Sequence, residues 1–263
     1  GSSTGLNYTY FTDSAALESL SSSTVSAAGT YYIKGTNTSS SPNCFVVKPV
    51  VVTINPIPSL VITNPPAVCS PATVNLTSST ITAGSDLGLR YEYYTDMIGT
   101  VLSTPNAVST SGTYYIKAIN EVTGCHDIKP VLVVINALPS VVTMAPLAVC
   151  APATVDLTLP SVTASSTSGL TYTYWRDSSA SNALTNPSTV SASATYFIKG
   201  TATSGCSSIA SVIVTINPEP TLVVTNPSSV CPGTTVNLGA LSVTAGSSTG
   251  LNYTYFTDSA ALE

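Results

Sequence analysis

An 81-residue internal repeat is the feature that most restricts the fold of this 263-residue chain. Six cysteines follow one another at alternating short and long spacings, and tyrosine and aspartate positions keep the same overall period. The repeating positions are Cys44, Cys69, Cys125, Cys150, Cys206 and Cys231, then Tyr91, Tyr172 and Tyr253, then Asp96, Asp177 and Asp258. A period of this length indicates tandem copies of one small domain.

The sequence also contains an exact long-range repeat: residues 1–18 are identical to residues 246–263. Proline-rich joints divide the chain into four pieces, 1–57, 58–138, 139–219 and 220–263. We predict that the two inner pieces are complete repeats, the first piece is the C-terminal part of a repeat, and the last is the N-terminal part of one. The chain is therefore expected to be a stretch of a longer array.

The chain is poor in charge, with 7% charged residues and a formal charge of −5, but it contains 80 serines and threonines. Its polar surface must therefore consist mainly of hydroxyl groups. The seven lysines and arginines are spread singly, so no basic patch for nucleic acid or an anionic membrane is expected. Apolar runs of about five residues are far shorter than the roughly 20 that span a bilayer, which predicts that the chain is not membrane-spanning.

Within 58–138, turn residues separate short apolar segments at intervals typical of an all-β sandwich. The predicted strands are A (59–63), B (73–77), C (89–94), a weak D and E pair (101–108), F (113–119) and G (130–135). Alternation along strand C gives a core-facing set, Leu89, Tyr91 and Tyr93, and an outward set, Arg90, Glu92 and Tyr94.

Several short motifs recur among the copies: Val-Cys at 68–69 and 149–150, Thr-Tyr-Tyr-Ile-Lys in strand F (Thr-Tyr-Phe-Ile-Lys in the third copy), Gly-Cys at 124–125 and 205–206, and a valine-rich strand G ending in Ile-Asn. The whole chain thereby resembles the Ig-like repeats of giant cell-surface proteins of Bacteroidota, although the first repeat has Asn43-Cys44 in place of Gly-Cys. This resemblance implies a tandem array of Ig-like antiparallel β-sandwich domains, exported by type IX secretion as an adhesin or fibre. The short O-glycosylation motif of that phylum resembles Asp-Ser-Ala here, with Ser14 and Ser259 as acceptors.

Six cysteines in a chain expected to be extracellular predict disulfides. Pairing within domains joins Cys69 to Cys125 and Cys150 to Cys206, and leaves Cys44 and Cys231 to partners outside this stretch. If the A–B and F–G turns lie at opposite poles of the sandwich, Cys69 would instead pair with Cys206. A metal site is not expected, since the chain has no Cys-x-x-Cys motif and one histidine.

No set of residues suggests catalysis, so the chain is expected to be neither an enzyme nor a cofactor-binding protein. His126 is interpreted as a solvated loop residue, and the aspartates after strand C as turn-ordering groups rather than calcium ligands. The lysines that recur in strand F are interpreted as solvated rather than as isopeptide donors; they are Lys34, Lys117 and Lys199.

Two sets of aromatic residues recur in strand C. The first is expected to pack in the core, namely Tyr10, Tyr93, Tyr174 and Tyr255. The second is expected to point outward, namely Phe11, Tyr94, Trp175 and Phe256. We interpret the outward set as inter-chain contacts of a homo-oligomer; an ordinary surface aromatic and a sugar-stacking surface are the alternatives.

These features predict a structural segment of a long extracellular fibre or surface appendage used to attach to, or capture, other cells or surfaces. The alternative function is that of an adhesin whose repeats bind host or prey glycans directly.

The proline-containing joints, 55–58, 136–139 and 217–220, predict a stiff array, because proline fixes φ and favours extended backbone. Small-angle X-ray scattering of the chain should give a rod-like profile with a rise of roughly 30–40 Å per repeat, the length of strands of seven to nine residues with their loops. A coil-like profile would contradict this expectation.

Overall fold

The computed structural model describes residues 5–257, and strands dominate its regular secondary structure. The strands are β1 (Leu6–Phe11), β2 (Gly29–Asn37), β3 (Phe45–Val52), β4 (Val68–Cys69), β5 (Leu89–Tyr94), β6 (Gly112–Asn120), β7 (His126–Val133), β8 (Ile135–Asn136), β9 (Val149–Cys150), β10 (Thr171–Trp175), β11 (Ala194–Thr201), β12 (Ser207–Val214) and β13 (Ile216–Asn217). One short 3-10 helix covers Pro160–Val162. Over residues 5–257, helical structure of the length and apolarity needed to cross a membrane is not found.

The chain divides into two compact units, Gly1–Ile135 and Asn136–Glu263. The first unit contains two three-stranded antiparallel sheets, with strand orders β1-β2-β3 and β5-β6-β7. The second unit contains the equivalent sheet β10-β11-β12. In each sheet the predicted strand F lies between C and G. The predicted fold class, an all-β tandem array of Ig-like sandwiches, is confirmed. The finer division into four pieces stays a prediction.

Strand C of the first complete repeat is β5, whose bounds are those expected from the sequence. Strand G, which is β7, begins at His126, four residues earlier than predicted. Strand G begins early because the F–G turn is tight. In this turn Gly124 has a φ of +74°, a conformation that glycine adopts without steric cost. Pairing with β6 therefore resumes directly after Cys125, whose carbonyl accepts a hydrogen bond of 2.9 Å from Asn120 N.

Segments A and B do not form the regular strands that the sequence predicts. Segment B is reduced to an isolated antiparallel bridge between Val74 and Val108. In segment A, a serine hydroxyl bonds the backbone groups that a neighbouring strand would otherwise pair. Val61 N donates to Ser85 Oγ at 2.9 Å, and that hydroxyl donates to Val61 O at 3.2 Å. The same two bonds recur in the pairs Val142 with Ser166 and Val223 with Ser247.

The hydrophobic core of each complete repeat lies between the C–F–G sheet and the A, B and E segments. The buried cluster of the first complete repeat consists of Val74, Leu76, Ile81, Val108, Tyr114, Ile116, Val131 and Val133. The second has Val155, Leu157, Val162, Leu184, Val190, Tyr196, Ile198, Val212 and Val214. Tyr93 and Tyr174 pack against these clusters, as predicted, and partial burial raises the pKa of both phenols.

Strand G differs in exposure between the first two sheets. Val50 of β3 is 40% exposed, whereas Val131 at the equivalent position of β7 is fully buried. Val131 belongs to the buried cluster that segments B and E form with strands F and G within 58–138. A sheet of strands C, F and G does not bury this valine by itself.

A tyrosine near the start of strand F is bonded to the backbone four residues earlier in all three copies. Tyr114 Oη donates to Thr110 O at 3.0 Å, and the equivalent bonds join Tyr196 to Ala192 at 3.1 Å and Tyr31 to Ala27 at 2.9 Å. Such a tyrosine corner at the turn before strand F is typical of Ig-like sandwiches.

Replacing Tyr114 by Phe should reduce the stability of its repeat, because the hydroxyl also bonds Thr110 Oγ1 at 2.7 Å. Two lost hydrogen bonds at about 0.5–1.5 kcal/mol each predict a loss of about 1–3 kcal/mol. Native-state hydrogen exchange of the β6 amides in rising urea would measure it. The control is Tyr115→Phe, which removes a hydroxyl from the outward face of the same strand; equal losses in both variants would contradict the corner's role.

Candidate functional site

The outward face of each C–F–G sheet is the strongest candidate for a functional surface. In the first complete repeat, Tyr94 of β5 lies directly opposite Tyr115 of β6. In the second, Trp175 of β10 lies opposite Phe197 of β11. Both pairs alternate with core residues, so they lie on the face away from the core. We call these two pairs the aromatic row.

The predicted outward residues Phe11 and Phe256 differ from the other two. Phe11 pairs with Tyr32 in the same register, but it is only 9% exposed. The expectation of an exposed aromatic is therefore wrong at Phe11. Phe256 is 47% exposed and lies outside any strand.

A second set of exposed apolar side chains lies on strand G, on the same face as the aromatic row. Val51, Leu132 and Ile213 are 72%, 47% and 61% exposed and occupy the same position in three successive copies. We call them the apolar edge. These residues were not predicted, although the alternation of Leu132 with the core residues Val131 and Val133 identifies the position from the sequence.

Tyr94 and Trp175 are each held by the residue two positions earlier in their own strand. Tyr94 Oη donates to Glu92 Oε2 at 2.6 Å, and Arg90 Nη1 lies 2.6 Å from Glu92 Oε1. The bond from Tyr94, followed by that from Arg90, holds the pKa of Glu92 below its usual value. In the second complete repeat, Trp175 Nε1 donates to Thr173 Oγ1 at 2.9 Å. The aromatic rings therefore have fixed orientations on the sheet.

The recurring aspartates cap the turn that follows strand C. The carboxylate of Asp177 accepts hydrogen bonds from the amides of Ser179, Ser181 and Asn182 at 2.9, 3.1 and 2.6 Å. The Ser179 hydroxyl, followed by the Ser181 amide, lowers the pKa of Asp177 to about 2. Hydrogen bonds also lower the pKa of Asp13 and Asp96.

The turn-ordering interpretation therefore fits Asp13, Asp96 and Asp177, while Asp258 lies outside the described residues. Over residues 5–257, His, Cys, Asp and Glu side chains do not gather in groups of three or more that could hold a metal ion.

Two of the strand-F lysines lie over their sheets. Lys34 Nζ is 4.1 Å from the centroid of the Phe45 ring, and Lys117 Nζ is 3.9 Å from a carboxylate oxygen of Glu92. His126 is exposed at the start of β7.

One of the two predicted O-glycosylation acceptors lies within the described residues. Ser14 is exposed in the turn after β1, and Ser259 lies outside the described residues.

The predicted disulfide pairing within domains is wrong. Cys69 and Cys206 are disulfide-bonded, whereas Cys125 and Cys150 carry free thiols, so the pairs 69 with 125 and 150 with 206 are not formed. Cys44 and Cys231 are also free thiols in this chain, and both are exposed.

The length of strand G explains why a repeat cannot crosslink its own cysteines. Cys150 pairs with Asn217 at the end of strand G, whereas Cys206 immediately precedes the start of that strand. Eleven residues of extended chain at about 3.3 Å each separate the two ends by roughly 35 Å. A disulfide needs Cα atoms within about 7 Å of each other. The A–B and F–G cysteines therefore lie at opposite poles of one sandwich.

Comparisons with known proteins give structural likeness alone. No family model matches the chain, and no curated protein matches it. A fragment of the titin I-band, I67–I69, matches with a TM-score of 0.35 and 11% identity over 82% of this chain and 89% of that one. Extracellular domains 3–5 of Drosophila OTK give 0.31 and 12% over 72% and 71%. The insect immune protein hemolin gives 0.31 and 10% over 81% and 68%.

The Asp177 turn should depend on pH in a narrow acidic range. Its carboxylate is bonded in the folded state, so the stabilisation is complete above the ordinary value of 3.8 and is lost as the pH falls towards 2. A carboxyl-carbon NMR titration should show a midpoint near 2 for Asp177. Ser179→Ala should raise this midpoint, whereas Ser178→Ala, at the exposed neighbouring position, should leave it unchanged; an unshifted midpoint in the first variant would contradict the assigned cause.

Proposed function

We propose that this chain is a structural segment of a long extracellular fibre or surface appendage, built from Ig-like domains and used in attachment to, or capture of, other cells or surfaces. In this role the protein acts mechanically and not as an enzyme. Each sandwich is a folded spacer, and its hydroxyl-rich surface of low charge limits nonspecific electrostatic adhesion.

The observation that carries the proposal is the recurrence of one outward surface in successive repeats. The apolar edge is exposed in three successive copies, and the aromatic row lies beside it in both complete repeats. A single ligand-binding site needs to occur only once. A surface that returns in every domain suits a contact that is repeated along the length of a fibre.

A second copy of the same chain is the proposed partner for this surface. Copies aligned in register would place every aromatic row and apolar edge against an equivalent surface. A contact of only about 1 kcal/mol per domain becomes tight when later contacts form at high effective concentration. The formal charge of −5 on each chain opposes this association only weakly at physiological screening.

The extracellular location and type IX export are proposed from the sequence resemblance, together with the disulfide-bonded state of Cys69 and Cys206. The exposed Ser14 supports the proposal of O-glycosylation there, because a glycan needs an accessible acceptor hydroxyl. A mass shift on a Ser14-containing peptide from the native protein would test that modification.

The second candidate function is direct adhesion to glycans, for which the fixed outward ring of Trp175 provides a stacking surface. A glycan array probed with the chain tests this function. Selective binding that is lost in Trp175→Ser would favour the adhesin.

Lateral assembly is tested by replacing both Leu132 and Ile213 with Ser. These side chains point outward, so the folded domains should persist while self-association weakens at least tenfold. Sedimentation velocity over a range of concentrations, with electron microscopy of any filaments, would measure the change.

The matched control is the double variant Leu87→Ser and Leu147→Ser, which removes two leucines that are 99% and 90% exposed outside the sheets. It should assemble like the parent chain. Equal assembly in the two double variants would refute the proposed surface, and monomeric behaviour of the parent chain at all concentrations would refute lateral assembly itself.

A further inference from the structure

A cleft with a polar rim lies where segments A and B meet in the first complete repeat. It has a volume of about 370 Å³, and hydroxyl and amide side chains form its rim: Thr63, Asn64, Thr73, Asn75, Ser78 and Thr80. Its apolar floor includes Val74 and Ile81, which are 4% and 3% exposed. A hydrogen bond of 2.8 Å from Thr63 N to Ile81 O joins the two walls. The cleft is therefore a fixed part of one sandwich.

Two asparagine side chains of the rim have their carbonyl oxygens held by the repeat itself. Asn64 Oδ1 accepts a hydrogen bond of 2.9 Å from Leu132 N. Asn75 Oδ1 accepts bonds of 2.9 and 2.7 Å from the amide and the hydroxyl of Thr77. Within residues 5–257, neither side-chain NH₂ group donates a hydrogen bond. Each of the two groups therefore has its N–H donors available to a ligand of the cleft.

The lining of this cleft favours an uncharged ligand that is rich in hydroxyl groups. None of the lining residues is charged, so the cleft offers no counter-ion for a phosphate, a carboxylate or an amine. Its hydroxyls can both donate and accept, its NH₂ groups donate, and Pro65 and Pro66 present apolar surface. A sugar residue matches this combination, because it carries hydroxyls around its ring and a face of C–H groups. The volume lies within the roughly 300–1,000 Å³ of small-ligand pockets.

The second complete repeat has a cleft of about 460 Å³ at the same place, but its chemistry differs. At the positions of Thr63, Asn64 and Ser78 it has apolar residues, namely Met144, Ala145 and Leu159. The local fold is kept, since a hydrogen bond of 2.8 Å joins Met144 N to Val162 O as its equivalent does in the first cleft. The polar rim is therefore not a requirement of the fold.

We propose that the cleft of the first complete repeat binds one neutral sugar residue of a glycan. The NH₂ groups of Asn64 and Asn75 donate to oxygens of the sugar, and the hydroxyls of Thr63 and Ser78 bond its hydroxyl groups. This inference rests on the second candidate function, direct adhesion to glycans, to which it gives a site, and it is independent of lateral assembly.

Proton–nitrogen NMR of the full chain, titrated in turn with glucose, galactose, mannose and N-acetylglucosamine, tests the site. At least one of these sugars should cause saturable shifts of the side-chain NH₂ signals of Asn64 and Asn75 and of the Thr80 amide. The amides of Met144 and Ser161, which line the cleft of the second complete repeat, are the internal control and should not shift. No saturable shift with any of the four sugars, or equal shifts at both clefts, would overturn the proposal.

Two double variants exchange the chemistry of the clefts. Thr63→Met with Ser78→Leu gives the first cleft residues of the second, and it should weaken sugar binding by about tenfold or more, because sugar hydroxyls lose their partners. The matched control, Met144→Thr with Leu159→Ser, makes the opposite changes in the second repeat and should leave the affinity of the first cleft unchanged. Unchanged affinity in the first double variant would overturn the cleft as the binding site.

Trp175→Ser distinguishes the cleft from the aromatic row. Sugar binding that survives Thr63→Met with Ser78→Leu but is lost in Trp175→Ser would overturn the cleft and leave the adhesin function standing. Chains that stay monomeric in sedimentation velocity yet bind a sugar at the cleft would refute lateral assembly alone, so failure of the two proposals is distinguishable.

Discussion

The pairing of strands F and G controls the rest of each repeat, because this hairpin has one buried and one exposed face. Its buried face supplies Ile116, Val131 and Val133 to the core, and all three are fully inaccessible to solvent. Its exposed face carries Tyr115 and Leu132. The register that buries one set therefore fixes the position of the other, since a slip of one residue would exchange the two faces. Core stability and the proposed contact surface thus depend on the same hydrogen bonds.

Serine has a structural role in addition to its contribution to a polar surface. Ser111 Oγ accepts a hydrogen bond of 2.8 Å from Ile135 N and donates one of 3.0 Å to Ile135 O, and Ser193 does the same to Ile216. A single hydroxyl thereby satisfies both polar groups of one backbone residue, as a paired strand would. Segments with few regular strand pairings can then remain ordered, because their backbone groups retain hydrogen-bond partners.

The repeat, the all-β class and the bounds of strand C could be predicted because they depend on local alternation and on self-similarity. Segments A and B could not, because alternation does not reveal that Ser85 would complete the backbone bonds of Val61. Among the aromatic positions, the burial of Phe11 could not be predicted, because alternation gives the direction of a side chain and not what covers it. The cysteine positions allowed two pairings, and excluding the one within domains required the length of strand G.

The separation of the cysteines at opposite poles has a consequence for what holds each sandwich together. Cys150 and Cys206 lie at the two ends of one strand G, roughly 35 Å apart, so a disulfide between them cannot close this sandwich across its own core. Apolar packing and backbone hydrogen bonds must therefore hold the two β-layers of the sandwich together. The fold of a single sandwich is then independent of whether its surroundings are oxidising or reducing.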